Sequence, residues 1–414
     1  MTPPLARPRR KNPVLRTRLP NLPPGGRSRV ALGLTAAAAL GRFELQCCRA
    51  CGKVQYPPSE ACQVCLSERL QWREQSGAGE LLAVTELAHS NDLFFRERLP
   101  WRLGMVRLDC AVTVVAHLHG DCAAAGVRVR VEAMLDRSGQ GVLIAMPDKE
   151  TAHMADDPQL REFTCDPKYR KVLVTDGRTA VGQAIVHSLI RAGADLIWVG
   201  QSEPWKQFPG MDALRTLPQV SLVPLDLSDS EAVSELCAEI GGRVDIVINN
   251  AEVHRPFGIA ARAGIEAARA EMDINYFGLL RLAQGLGPAL RARGADGQSS
   301  AVAWVNLLSI YALSNYPPHG TFSASKAAAL SLAQCLRAEM RPAGVRVINV
   351  FPGPIDDEWN QTVLPPKVSA AALATAITRA LQQGIEDVFP GDVAQEWLAR
   401  WRDNPKALER ELAG

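Results

Sequence analysis

At 414 residues the chain is long enough for two or three domains with substantial cores. Its 47% apolar and 22% charged residues are ordinary for a soluble globular protein. A net charge of +2 argues against nucleic-acid binding by the chain as a whole.

The charge is uneven along the chain. Residues 1–43 carry nine Arg/Lys (Arg7, Arg9, Arg10, Lys11, Arg16, Arg18, Arg27, Arg29, Arg42), no acid and seven prolines. Most of that leader is expected to be disordered or extended. Val30 to Gly41 is apolar but only twelve residues long, too short to span a bilayer. No A-x-A site follows it, and Arg9-Arg10 lacks the flanks of a twin-arginine signal. The expectation is a docking helix on the domain that follows, no membrane segment and a cytoplasmic location.

Next come Cys48-x2-Cys51 and Cys62-x2-Cys65, separated by ten residues. Two such knuckles converge on a tetrahedral Zn²⁺ through four thiolates. Gly52 permits the tight turn a knuckle needs, and Pro57-Pro58 stiffens the connection. The competing reading, two disulfides, requires an oxidising compartment. A closed four-thiolate site has no open coordination position, so this zinc is expected to be structural. Cys47 falls outside the spacing, and Cys110, Cys122, Cys165, Cys237 and Cys335 read as buried thiols.

Five short runs follow: 79–85, 106–109, 112–118, 127–131 and 141–145. Their alternation and the Gly, Asp and Ser between them predict strands, and five strands in about seventy residues suit an OB-type barrel. The runs hold no aromatic residue, which argues against single-stranded nucleic acid as the partner.

Ribbon and barrel resemble the acyl-CoA-associated zinc-ribbon/OB-fold proteins, the domain-of-unknown-function-35 family. The match rests on Cys48-Arg49-Ala50-Cys51-Gly52-Lys53-Val54-Gln55-Tyr56-Pro57-Pro58, Cys62-Gln63-Val64-Cys65-Leu66-Ser67 and Gly77-Ala78-Gly79, over residues 30–148. The resemblance implies acyl-CoA chemistry and a thiolase-class partner.

Residues 151–168 are polar and mixed and read as a linker. From Lys171 strands alternate with helices: 172–175, a helix over 181–192, 196–199, 220–223, 246–248, 302–305 and 345–350. Such alternation predicts a doubly wound, Rossmann-type parallel sheet covered on both faces.

This half resembles the short-chain dehydrogenase/reductase (SDR) family over residues 169–393. The landmarks are Thr175 and Gly182, Asp226-Leu227, Asn249-Asn250-Ala251, Asn275, Ser309, Lys326 and Pro352-Gly353. The resemblance implies an NAD(P) pocket formed by positions 176, 180, 182, 226, 249, 251 and 252. It also implies a catalytic group of Ser309, Asn275, Lys326 and a tyrosine four residues before the lysine. In the intact family Lys lowers the tyrosine pKa, Ser orients the carbonyl and Asn holds a water relay.

Departures are concentrated at those points. Phe322 stands where the family keeps its tyrosine, and a phenyl ring cannot donate a proton. The Thr-Gly-x-x-x-Gly-x-Gly turn has Asp176 and Ala180 for its first two glycines, leaving Gly182, with Gly177 one position out of register. Asn-Asn-Ala-Gly ends in Glu252, and Asp357 replaces a threonine after Pro352-Gly353. Gly200-Gln201 supplies neither an acid for an adenosine ribose nor an arginine for its phosphate. Three carboxylates therefore surround the place of a doubly negative cofactor. At about 5 Å and an effective dielectric near 20, each like-charge pair costs about 3 kcal/mol, against roughly 8 kcal/mol for micromolar affinity. NAD(P) binding is expected to be impaired unless the carboxylates point away. Tyr311, Tyr316 and His319 are the candidates for a displaced acid; His319, after Pro317-Pro318, is expected to be solvated.

The helices over about 263–293 and 321–340 are, in the resembled family, a four-helix dimer interface. Hydroxyacyl-CoA dehydrogenases in which one subunit has lost the tyrosine resemble this case. The tail from Gly391 to Leu412 is amphipathic, with Trp397 and Trp401 on one face, and suits core packing, a lid or a partner contact.

The expected organisation is a basic leader and docking helix (1–43), zinc ribbon (44–76), OB barrel (77–150), linker (151–168), SDR-like Rossmann domain (169–393) and helical tail (394–414). The expected function is an accessory subunit of β-oxidation-like acyl-CoA metabolism. Its first half would dock a thiolase, and its second would pair with an intact dehydrogenase or a second copy. The leader could attract CoA phosphates or be a solvated tail. The alternatives are an active NAD(P)-dependent 3-hydroxyacyl-CoA dehydrogenase with a displaced acid, and an OB-fold nucleic-acid binder.

Overall fold

A computed structural model describes residues 1–7, 20–261 and 263–413; Arg9, Arg10, Lys11, Arg16 and Arg18 of the basic leader lie outside the described residues. The chain separates into two compact units, with the main division between Cys165 and Asp166.

In the first unit, helix α1 (Leu32–Ala39) buries Leu34, Ala37 and Ala38. It packs on the barrel, where Thr35 Oγ1 accepts the Gly141 N–H at 2.9 Å. The ribbon sheet has β1 (Glu44–Cys48) between β2 (Val54–Gln55) and β3 (Leu70–Glu74), all antiparallel. The barrel strands are β4 (Ala78–Leu87), β5 (Trp101–Leu108), β6 (Thr113–Leu118), β7 (Arg128–Leu135) and β8 (Gly141–Pro147), closed in the order β4-β5-β6-β8-β7. β6 and β8 pair parallel and the other neighbours antiparallel. That closed five-stranded arrangement is the OB architecture. Inward positions such as Leu81, Val106, Val114, Leu118, Val129, Val131 and Leu143 fill it.

Two expectations are corrected here. β5 starts at Trp101, so the barrel is not free of aromatic residues. Trp101 is nevertheless 2% exposed, packed edge-on against Phe94 of α2 (Leu93–Arg96) and Phe163, and offers no stacking platform to a base. Residues 151–165 are not free linker. Leu160 and Phe163 are buried in the same small core, and Gln159 bonds the backbone of Arg102 through both ends of its amide. Their polarity misleads because the buried acid Asp157 accepts the N–H groups of Gly120 and Leu160, a use of carboxylates that composition does not reveal.

The second unit is a seven-stranded parallel sheet in the order β11-β10-β9-β12-β13-β14-β15. Its strands are β9 (Lys171–Val174), β10 (Leu196–Gln201), β11 (Val220–Pro224), β12 (Ile246–Asn249), β13 (Ala303–Leu307), β14 (Arg346–Val350) and β15 (Asp387–Val388). The helices are α3 (Ala180–Arg191), α4 (Met211–Arg215), α5 (Ser230–Ile240), α6 (Glu266–Met272), α7 (Leu279–Ala292), α8 (Gly320–Met340), α9 (Ala370–Gln383), α10 (Asp392–Asp403) and α11 (Pro405–Leu412). β12, β13 and β14 are buried at every position, as strands covered on both faces must be. A π-helical turn, Asp273–Gly278, joins α6 to α7. The tail breaks at Asn404, whose side chain caps α11 by accepting the Ala407 N–H.

Candidate functional site

The four ribbon cysteines meet. Their sulfur atoms all lie within 4.8 Å of one another, with Cys48–Cys65 and Cys51–Cys62 each at 3.6 Å. A tetrahedron of thiolates about 2.3 Å from a Zn²⁺ has sulfur–sulfur edges near 3.8 Å, so the site fits the metal. The N–H of Cys51, then that of Ala50, pull the Cys48 thiol down to about 6, while the neighbouring sulfurs push Cys51 up, as four thiols sharing protons in one site do. The knuckles are near copies. Gly52 N–H bonds Cys48 O and Leu66 N–H bonds Cys62 O, and both residues take left-handed backbone, φ +75° and +60°. The sequence signals the first through glycine and conceals the second behind leucine.

In the second unit, the turn between β9 and α3 is held by side chains from the end of β12. Asn250 accepts the Asp176 N–H and donates to Asp176 O, while Thr175 Oγ accepts the N–H groups of Asn250 and Ala251. Thr175 and Asn249 are also linked, at 3.3 Å. Gly182 is required: a Cβ there would stand 1.9 Å from Asp176 O. Gly177 is fixed by packing, since its Cβ would meet Val199 at 2.2 Å. Ala180, where a glycine was expected, is exposed at the first position of α3. Asp226 accepts from the backbone and hydroxyl of Ser228 beyond β11.

The three carboxylates are not bare charges, which corrects the expectation of simple repulsion. Asp176 is bridged by Arg178, Nε to Oδ1 at 3.1 Å and Nη2 to Oδ2 at 3.0 Å. Asp357 caps the turn Glu358–Asn360, accepting two backbone N–H groups and the Asn360 amide through Oδ1. Burial pushes its carboxyl up, and the charge of Glu252 adds to the effect. Glu252 meets the Lys326 ammonium at 2.7 Å. Lys326, 2% exposed, has its second partner in Leu307 O at 2.9 Å.

Around this ion pair the residues at the family's catalytic positions have partners within the fold. Phe322 is 3% exposed and its ring stacks on His254, centroids 3.7 Å apart and planes 13° from parallel. His254 Nε2 and His319 Nδ1 share a hydrogen bond of 2.9 Å. His319 is 1% exposed, so the expectation of a solvated loop histidine is wrong: the prolines before it begin a short helical turn that carries it inward. Burial, then the neighbouring charges of His319, Lys326 and Arg255, bring the His254 pKa down to about 3, and burial lowers His319. Burial likewise raises Tyr311. Asn275 accepts the Val253 N–H and donates to Val253 O and Ser325 Oγ. Ser309 Oγ accepts the Tyr311 N–H. Glu252, His254, Ser309, Tyr311, Phe322 and Asn360 are among the residues lining one cavity of about 10 Å³, room for about one water. Trp397 of α10 closes on Tyr311 and Tyr316, with centroids 5.6 and 6.1 Å apart. Sequence reasoning missed His254; a lone histidine in the loop after β12 has no spacing that marks it.

Residues 170–367 match the short chain dehydrogenase family. A short-chain dehydrogenase from Burkholderia cenocepacia, solved in complex with NADP, is 32% identical with a TM-score of 0.54, covering 60% of this chain and 99% of that one. The chain belongs to the short-chain dehydrogenase family. Ahead of this SDR module, residues 35–71 match the rubredoxin-like zinc ribbon of ChsH2 and residues 72–133 its C-terminal OB-fold domain. Among curated relatives, human dehydrogenase/reductase SDR family member 7C is 33% identical over 192 residues, 44% of this chain and 59% of that protein. The 1-deoxy-11-beta-hydroxypentalenate dehydrogenase of Streptomyces exfoliatus is 28% identical over 223 residues, 51% of this chain and 79% of that protein. The chain thus spans under two thirds of the length of human member 7C. Among the described residues, no helix is long and apolar enough to cross a membrane.

Proposed function

We propose that this SDR module performs no hydride transfer and that the chain is an accessory, bridging subunit in acyl-CoA metabolism. The carrying observation is the Phe322–His254 stack beside a Lys326 already paired with Glu252. Neither ring nor ammonium is left to move a proton at a substrate oxygen. With Glu252 on Lys326, the cavity beside Ser309 has room for about one water and none for a nicotinamide ring.

The ChsH2-type ribbon and barrel support an acyl-CoA setting, with the zinc structural and the barrel docking a thiolase-class protein. The SDR module would pair with an intact dehydrogenase or a second copy. Two measurements test this. Purified chain supplied with a 3-hydroxyacyl-CoA and NAD⁺ or NADP⁺ should give no NAD(P)H absorbance. Co-expression with neighbouring thiolase and dehydrogenase genes should recover a complex. Turnover by the isolated chain would refute the first claim, and recovery of the chain alone would remove the second.

A further inference from the structure

We infer that Glu252 is a built-in counter-ion that closes the SDR cleft to dinucleotides, and that this pair, more than the lost phenol, is what bars them. The inference deepens the non-redox reading above and rests on it. An ammonium as buried as Lys326 demands a compensating charge, because an unpaired buried charge is strongly destabilising. Here the chain supplies that charge itself, from the loop directly after β12. The Glu252 side chain is 17% exposed and faces the same cavity as Ser309 and Phe322. It therefore stands on the side from which a ligand would approach.

The other two carboxylates cannot exert this control. Asp176 is neutralised by Arg178, and Asp357 is consumed as a cap. Only Glu252 is bound to a group deep enough to need it. An anionic ligand reaching Lys326 would have to displace a carboxylate held at 2.7 Å and leave it beside the ligand's own negative charge. Removing the carboxylate reverses the situation: Lys326 is left as a buried cation facing an opened cleft, and a phosphorylated, hydroxyl-bearing nucleotide becomes its natural partner. The turn between β9 and α3 is held in place, with Asn250 clamping Asp176 and Gly182 packed under it, although Asp176 and Ala180 stand where the family has glycines.

The test uses the zinc-loaded full chain as wild type, Glu252→Gly, Glu252→Gln, Lys326→Met, Glu252→Gly/Lys326→Met and Glu252→Gln/Lys326→Met, in thermal unfolding with and without millimolar NADH or NADPH. Wild type should show no cofactor-dependent shift. Glu252→Gly should melt roughly 5 °C lower and recover part of that loss when dinucleotide is added, as a ligand binding only the folded state requires. The double variant should melt above Glu252→Gly and ignore the nucleotide. A folded Glu252→Gly with no response, or a wild type that responds equally, overturns the inference. Should Glu252→Gly not fold, Glu252→Gln decides. Its melting loss must vanish in a Lys326→Met background, and an unchanged loss there overturns the inference. A wild type that binds dinucleotide without oxidising substrate sinks this inference and leaves the non-redox reading standing; turnover sinks that reading.

Discussion

A hydroxyl introduced at position 322 should not by itself give hydride transfer. In Phe322→Tyr the phenol would lie in a ring stacked on His254, and the lysine that should acidify it would still be held by Glu252. Turnover of a 3-hydroxyacyl-CoA, followed by NAD(P)H absorbance, is expected to match wild type; a rise from this single change would show that the phenol alone was limiting. The buried histidine next to that ring predicts a pH dependence. The His254 pKa is about 3 in the folded chain and about 6.5 when unfolded. The group is thus neutral in the fold, and its stabilising contribution is complete above the unfolded value. As pH falls below about 6.5 the unfolded chain takes up the proton first, and stability drops by about 1.4 kcal/mol per pH unit. The stability of wild type relative to His254→Gln, by urea unfolding, should decline with that slope between pH 6 and pH 4. A pH-independent difference would place His254 in solvent. On the ribbon, Leu66 holds φ +60° while 78% exposed, so Leu66→Gly should relieve strain of about 1 kcal/mol and raise the melting temperature. A lower one would mean that the leucine side chain contributes more than its backbone costs.

At the scale of elements, the sequence was most informative where local chemistry sets the spacing. Two C-x2-C pairs, β-runs separated by turn residues and the βα alternation all reappear in the structure, with strand ends moved by a few residues. Legibility failed where an element owes its place to distant partners. β15 is two residues long, held by pairing with β14, and carries no periodicity. The segment 151–165 looked like linker because its buried acids accept backbone N–H groups. Most consequentially, Glu252 and Asp176 were legible as charges while their partners were not, because sequence does not give side-chain direction. Asp176 and Glu252 each face a cation, and Asp357 serves as a cap. The sequence of the tail suits core packing, a lid or a partner contact alike. Ala394 of α10 is fully buried with Ile310, Tyr311 and Phe322, and Trp397 leans on the tyrosines, so α10 is part of the wall that closes the site. Trp397→Ala should cost about 2 kcal/mol, below the value for a fully buried tryptophan because this one is only partly buried, and should raise fluorescence quenching of the remaining tryptophans by acrylamide. Unchanged stability would assign α10 to a surface role.

For the whole molecule, the two units have separate hydrophobic clusters, one inside the barrel and one around the parallel sheet, and among the described residues only the first is tied to a metal site. Apparent zinc-binding energies of about 10–16 kcal/mol for four-ligand sites exceed the stability of a small domain. The ribbon sheet, two to five residues per strand, is too small to bury an adequate core without that contribution. Chelation, or Cys62→Ser, should therefore melt the ribbon and loosen α1, whose Gly33 lies against Trp72 of β3 so closely that a Cβ there would meet the indole at 2.0 Å. The parallel sheet, which draws nothing from the metal, should keep its helical circular dichroism and its own unfolding transition. Metal analysis should fall from about one zinc per chain to none, accompanied by a new low-temperature transition and protease cleavage confined to α1 and residues 44–76. Loss of all helical signal in one step on chelation would mean that the SDR module depends on the ribbon for its fold, and its assignment as a separately folded partner-binding unit would fail.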